Sequence, residues 1–422
     1  MRKKSSQQPM PIFNSRTTHF LLALTFSLTL TAMLALPAQA QTYTVLYTFT
    51  GGTDGGWPYA GVVADNAGNL YGTTEVRGNN SACGAFHGCG VVFKLDPSGN
   101  ETVLHTFEGN VDGRQPVWGN LLRNNAGDII DTTQYGGMNG QIGLGTIYAL
   151  TAEGKEIIVH RFQGPPNDGE EPQTGLIVAK DGSLYGTTAG GGNGFQGGCG
   201  TIYRLTKTGQ FSIFHNFKGG DGCSPAGGLV MDSQGNLYGT ANSGGAGYGN
   251  VFKITPSGVL TVLHSFTGIP DGALPSGILT IDKAGNLYGT TLVGGSLCTT
   301  VGEGCGVVFK IDTQGNETIL YRFLLKDGIG PMAGVVVDAA GNLYGSTTGA
   351  ADYNWGSLFK LDTQGNYTKL HDFAGAGDGA SPFGTMTWGG PNTLYGTTYL
   401  GGLADGCDYG QGCGVVFKLT LQ

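Results

Sequence analysis

The acids of this sequence return to one motif, Asp-Gly-x-x-Pro, which occurs seven times and supplies Asp54, Asp112, Asp168, Asp221, Asp271, Asp327 and Asp378. Carboxylates gathered into one circle would offer oxygen ligands to a hard cation such as Ca²⁺. Asp before Gly is also turn chemistry, with the carboxylate accepting N–H bonds from its own loop. Sevenfold repetition favours the turn, because a catalytic site needs its residues in different roles. No cofactor is therefore expected, and Ca²⁺ held by these acids is the alternative.

Five of the seven histidines, His105, His160, His215, His264 and His371, share one position of the repeat, and Tyr47 and Tyr321 fill it in the other two copies. Substitution by tyrosine predicts a part-buried ring with one hydrogen-bonded polar atom, not a metal ligand. His87 stands outside this pattern and reads as solvated. Eight cysteines form three local pairs, Cys83 with Cys89, Cys298 with Cys305 and Cys407 with Cys413, leaving Cys199 and Cys223, whose loops fall on the same face once the repeats are phased. Four disulfides are expected; zinc is disfavoured because paired CxxC spacing and partner histidines are missing. The Gly-Gly and Gly-x-Gly strings open no helix after a strand and are weak as phosphate loops.

What must position these groups is a repeat anchored on Gly-Asn-Leu-Tyr-Gly-Thr-Thr. Its aromatic is Tyr71, Tyr185, Tyr238, Tyr288, Tyr344 and Tyr395, with Ile130 in a degraded second copy, at spacings of 59, 55, 53, 50, 56 and 51 residues. Such regularity indicates a repeat architecture. Each repeat runs Asp-Gly-x-x-Pro, a Gly with a short apolar run (strand A), the anchor (B), a variable loop, Gly-x-Val-Phe-Lys-Leu (C), a tight turn and a strand such as Glu-Thr-Val-Leu-His-Thr-Phe (D). The segments are rich in Val, Ile, Thr, Tyr and Phe and show no helical period. In strand C both faces are apolar, as a sheet sandwiched between neighbours requires, and its lysine is expected to reach water from the strand end.

Every strand type occurs seven times, but the chain opens on a lone D strand and closes on a C strand. The remainders are complementary: the first strand completes the last sheet. The expected fold is all-β, a seven-bladed β-propeller of four-stranded antiparallel blades spanning residues 41–422. Residues 1–40 read as a signal peptide, with Arg2, Lys3, Lys4 and Arg16, an apolar run over 20–36 and Pro37-Ala38-Gln39-Ala40 as cleavage site. The product is expected to be secreted or periplasmic, without a membrane span after processing, and a monomer. The mature chain carries 18 basic against 30 acidic residues, which disfavours nucleic acid as partner.

The phrase Pro-x-x-Gly-Leu-x-x-Asp-x-x-Gly-Asn-Leu-Tyr, followed by Val-Phe-Lys-Leu-Asp-x-x-Gly, resembles NHL-type and lyase-type bacterial propellers. Leu237-Tyr-Gly-Thr240, Cys305-Gly-Val-Val-Phe-Lys310 and Asp378-Gly-Ala-Ser-Pro382 more closely resemble the GloVer (Gloeo/Verruco) tandem repeats of exported bacterial proteins. The resemblance implies a secreted propeller and carries no established activity; NHL-like relatives include binding scaffolds and metal-assisted enzymes.

Symmetry is broken in the long B–C and D–A loops of one face, and loops on a rigid scaffold are where binding concentrates. Trp57, Arg77, Arg114, Trp118, Tyr135, Glu170, Glu171, Phe195, Tyr248, Tyr353, Trp355 and Tyr409 are the candidates there. Aromatics beside acids suit a glycan or a protein. The leading expectation is a non-catalytic binding module; a metal-dependent hydrolase or lyase at the channel mouth, and a structural envelope component, are the alternatives. The Ile130-Asp131 departure in the second copy is drift or a site.

Overall fold

The structure, a computed structural model, describes residues 41–79, 83, 88–116, 118–138, 143–193, 198–298, 304–403, 407 and 410–422. The expected export segment, His87, Phe195 and Tyr409 lie outside the described residues. Thr42–Leu421 is one compact unit. Among the described residues no helix is long and apolar enough to cross a membrane.

Seven four-stranded antiparallel sheets form a ring. Blade 1 holds Val63–Ala64, Leu70–Thr74, Val91–Leu95 and Glu101–Thr106, strands A to D from the inner to the outer edge. Blades 2 to 6 repeat this order, opening on Leu122–Arg123, Ile177–Val178, Leu229–Met231, Thr280–Ile281 and Val336–Val337. Blade 7 takes Thr387–Gly390, Thr393–Thr398 and Val415–Thr420 from the end of the chain and Thr42–Thr48 from its beginning. Val45 lies opposite Phe417 and Tyr47 opposite Val416, with Leu46 bulged between them. The other six D strands carry the same bulge against their C strands, so the N-terminal segment is a D strand in every detail. The seven-bladed propeller read from the repeats is the fold observed.

The anchor motif owes each residue to a contact. Its tyrosine hydroxyl donates to an aspartate in the preceding A–B turn, Tyr71 to Asp65 and Tyr238 to Asp232 at 3.1 and 3.0 Å. Its second glycine faces a ring of strand C: a Cβ on Gly72 would sit 2.7 Å from the Phe93 ring. The first threonine bonds the next blade, Thr397 donating to the Ala60 carbonyl at 2.7 Å and Thr290 to that of Ala333 at 2.9 Å. The second bonds into the start of its own B–C loop, Thr291 donating to the Val293 carbonyl at 2.9 Å. The C-strand lysine does not simply reach outward; Lys253 lies over the Tyr238 ring, 5.6 Å from its centroid, because the register sets the two side by side.

A recurring aromatic pair joins neighbouring blades. The phenylalanine ending each D strand meets edge-on the C-strand ring of the next blade, as in Phe49 with Phe93, Phe217 with Phe252 and Phe323 with Phe359, centroids 5.1 to 5.2 Å apart. All of these rings are fully buried. Such pairs add about 0.5–1.5 kcal/mol each beyond the area they bury. At the axis the A strands crowd so closely that a Cβ on Gly119 would lie 1.6 Å from the Gly175 nitrogen. Only glycine fits there.

Candidate functional site

The seven repeated aspartates do not line the channel. Each carboxylate turns back to the His or Tyr of the D strand before it, on the outer edge of the blade. His160, His215 and His371 place Nε2 at 3.0, 2.9 and 3.1 Å from Asp168, Asp221 and Asp378, and His264 lies 3.2 Å from Asp271. Tyr47 and Tyr321 donate to Asp54 and Asp327 at 3.0 and 2.8 Å. The carboxylates also accept backbone N–H bonds from the loop they close, from Thr50 at 2.7 Å for Asp54 and from Lys218 at 2.8 Å for Asp221. A ring of free oxygens around the channel mouth is thereby replaced by separate corner locks, six of them closed by a hydrogen bond from the D-strand ring. The expected hydrogen-bonded ring is present, its partner being this aspartate.

At three corners an aromatic residue at the start of the next D strand covers the lock. Phe211 stacks on His160 at 3.6 Å, Tyr43 on His371 at 3.8 Å and Tyr367 on Tyr321 at 4.8 Å. Glu101, Glu156 and Glu317 occupy the same place in blades 1, 2 and 5. Burial beside the lock aspartate pushes the Glu101 carboxyl up to about 7. All four disulfides form as expected, with Cα atoms 4.4 to 5.6 Å apart.

The face bearing the D–A and B–C loops breaks the symmetry at defined positions. The residue before each motif proline has a left-handed backbone, as in Trp57 at φ 59°, Gln115 at 56° and Glu171 at 55°. Its carbonyl accepts the N–H of the residue following Thr-Thr, Glu75 onto Trp57, Gln134 onto Gln115 and Tyr399 onto Ser381 at 3.0 to 3.1 Å. A sevenfold backbone frame thus presents side chains that differ from blade to blade.

Just after the motif proline, blades 7, 1 and 2 carry the aromatic residues Phe383, Tyr59 and Trp118. Tyr59 lies between Phe383 and Trp118, with centroids at 4.6 and 4.3 Å. Tyr399 meets Tyr59 at 5.4 Å and Trp57 at 5.2 Å. Glu75 stands beside them, accepting from Gln115 Nε2 at 3.0 Å and from the Tyr399 hydroxyl. Burial raises its carboxyl above the ordinary range against the pull of those two bonds. Arg114 lies 5.4 Å from the Tyr135 centroid, and Tyr135 feels the charges of Glu171, Arg114 and Glu75.

Of the loop candidates, Trp57, Trp118, Arg114, Tyr135 and Glu171 therefore gather around this patch. Glu170 sits in a short ribbon, Gly169–Glu170 against Gly190–Gly191, and Arg77 pairs with Gly88 at the start of the blade 1 B–C loop. Tyr248 and Tyr353 stand exposed elsewhere, and Trp355 packs over Gly375 in a separate cavity of about 250 Å³ between blades 6 and 7. Sequence reasoning missed Tyr59, Phe383, Tyr399 and Glu75. A signal existed: in the place after Thr-Thr the copies read Glu75, Gln134, Ala189, Asn242, Leu292, Thr348 and Tyr399, the variation of a presented surface. Asp131, the oddity of the second copy, is fully buried opposite Tyr148, whose hydroxyl is buried and has no hydrogen-bond partner.

The repeat pattern matches the description "Gloeobacter/Verrucomicrobia repeat" over residues 83–301 and 297–422. The chain belongs to this repeat family. A search of curated proteins finds no match. Among solved structures, the extracellular domain of a one-component system from B. thetaiotaomicron is similar at 10% identity and TM-score 0.53, covering 90% of this chain and 40% of that one. A puromycin hydrolase is similar at 12% identity and TM-score 0.51, covering 85% and 53%. A gluconolactonase from Xanthomonas campestris aligns over 90% of both chains at 14% identity and TM-score 0.47. At these identities the Gloeobacter/Verrucomicrobia repeat protein shares with the first two the fold alone.

Proposed function

We propose that this repeat protein is exported by its first 40 residues and acts as a binding module for neutral glycans, through the aromatic patch of blades 7, 1 and 2. The observation that carries the reading is Tyr59 set between Phe383 and Trp118, with the Glu75–Gln115 pair at its edge. Pyranose rings offer an apolar C–H face to aromatic planes and hydroxyls to a neighbouring carboxyl and amide, and pockets that orient ligands combine these two elements. The mature chain's excess of acid disfavours anionic glycans by repulsion. Four disulfides belong to an oxidising compartment, where such ligands are met.

The binding reading is preferred to glycoside cleavage because hydrolysis calls for two carboxyl groups across one bond, whereas Glu75 is tied up in bonds from Gln115 and the Tyr399 hydroxyl. The test is a glycan array probed with the mature protein, with each hit then incubated and assayed for new reducing ends. Retention without new ends supports the module. Release of reducing ends replaces it with an enzyme, and an empty array removes it.

A further inference from the structure

One of the seven corner locks is open. On the D strands of blades 2, 3 and 6, His160, His215 and His371 hold Nε2 2.9 to 3.1 Å from their aspartates. At the corner of blades 1 and 2, His105 Nε2 instead lies 3.5 Å from Asp112 Oδ2 and 3.5 Å from Glu156 Oε1. Neither is a hydrogen bond. His105 Nε2 and Glu156 Oε1 are both buried and have no hydrogen-bond partner, so two unpaired polar atoms face each other. Leaving such atoms unpaired is unfavourable.

The three donors lie within 4.8 Å of one another. Ligands of a tetrahedral ion with bonds of about 2.1 Å stand about 3.4 Å apart, close to both separations seen here. Asp112 is held in place by N–H bonds from Glu108 and Gly109 at 2.8 and 2.9 Å. His105 is fixed on its strand, so the site is preorganised. The side chains of His105 and Glu156 remain 17% and 19% exposed, which leaves an ion a way in. One imidazole and two carboxylates suit a first-row divalent ion better than Ca²⁺, which takes oxygen ligands.

We propose that His105, Asp112 and Glu156 bind Zn²⁺ or a divalent ion of its class, clipping the outer strands of blades 1 and 2 together. Water completes the coordination. The related set His264, Asp271 and Glu317 is a poorer version, because its histidine is already hydrogen-bonded to both carboxylate oxygens of Asp271 at 3.2 and 3.3 Å. The site is independent of the aromatic patch.

The test is calorimetric titration of chelator-stripped mature protein with ZnCl₂, CaCl₂ and MgCl₂, using wild type, Glu156→Gln and Glu317→Gln, each checked for folding by circular dichroism. One tight equivalent of Zn²⁺ is expected, weakened about tenfold or more by Glu156→Gln and held within about twofold by Glu317→Gln. The proposal is overturned by absence of saturable Zn²⁺ binding, by preference for Ca²⁺, by binding unchanged in Glu156→Gln, or by loss in Glu317→Gln instead. Because Gln keeps the shape of Glu, a misfolded variant is unexpected; the wild-type rise in unfolding temperature on adding Zn²⁺ is the second readout, and no rise also overturns it.

Discussion

Tyr59 of blade 1 lies flat on Phe383 of blade 7, ring centroids 4.6 Å apart and planes 8° from parallel. The pair bridges blade 7, whose sheet is made from both ends of the chain, and the first blade that follows it. The proposed ligand patch therefore depends on ring closure, and the account predicts that both fail together.

Removing Thr42–Thr48 exposes the edge of Val415–Thr420 and leaves the fully buried Phe417 without its cover. An uncovered apolar edge is a template for association. Size-exclusion chromatography should show aggregation of the truncated chain, and a peptide covering residues 41–50 should restore the monomer when added during refolding. A truncated chain that stays monomeric and folded by itself would rule out the closure as an essential fastening.

Asp221→Ala breaks a corner lock, removing the bonds to His215 at 2.9 Å and to the Lys218 N–H at 2.8 Å. Bonds to a charged acceptor are worth about 1.5–3 kcal/mol, so urea unfolding should show a loss of about 2 kcal/mol. A change below about 0.5 kcal/mol would show the lock to be ornamental.

Glycine at the axis gives a sharper contrast. Gly119→Ala would set a methyl 1.6 Å from the Gly175 nitrogen, whereas Gly220→Ala meets nothing within 4 Å. The first should cost about 3 kcal/mol and the second stay within about 0.5 kcal/mol. Equal costs would contradict the crowded inner ring.

Burial pushes the Asp131 carboxyl up to about 8, and the Thr132 N–H draws it down only in part. The groups facing it are that N–H and the hydroxyls of Tyr148 and Tyr203, which feel its charge. A raised acid binds more protons when folded, so its contribution is fully present below the ordinary aspartate range and is lost as pH rises towards 8. Wild-type stability should fall more steeply than that of Asp131→Asn between pH 4 and 8. Parallel pH profiles would mean that Asp131 ionises normally.

The ring was legible because its evidence is arithmetic: the lone D strand ending at Phe49 and the C strand ending at Leu419 leave complementary remainders, and Val45 does lie opposite Phe417. Cysteine phasing found Cys199 with Cys223 for the same reason. The corner locks were half legible. His215 was recognised as hydrogen-bonded and Asp221 as a loop former, but their pairing depends on the D strand folding back at its end, which spacing does not display. The patch was the least legible, since Tyr59 and Phe383 touch only through closure and lie far apart in sequence. Glu75 follows the most regular motif in the chain and was hidden by that regularity.

The most direct measurement of the proposed function is a titration of the mature protein's tryptophan fluorescence with neutral cello-, xylo- and chito-oligosaccharides, repeated by calorimetry on Trp118→Ala and Phe383→Ala. Truncating an aromatic anchor costs about 1–2 kcal/mol or more. The account predicts saturable binding of at least one of these sugars, weakened about tenfold by each substitution in proteins that remain folded. Absence of binding across the series, or affinity unchanged by both substitutions, would contradict it.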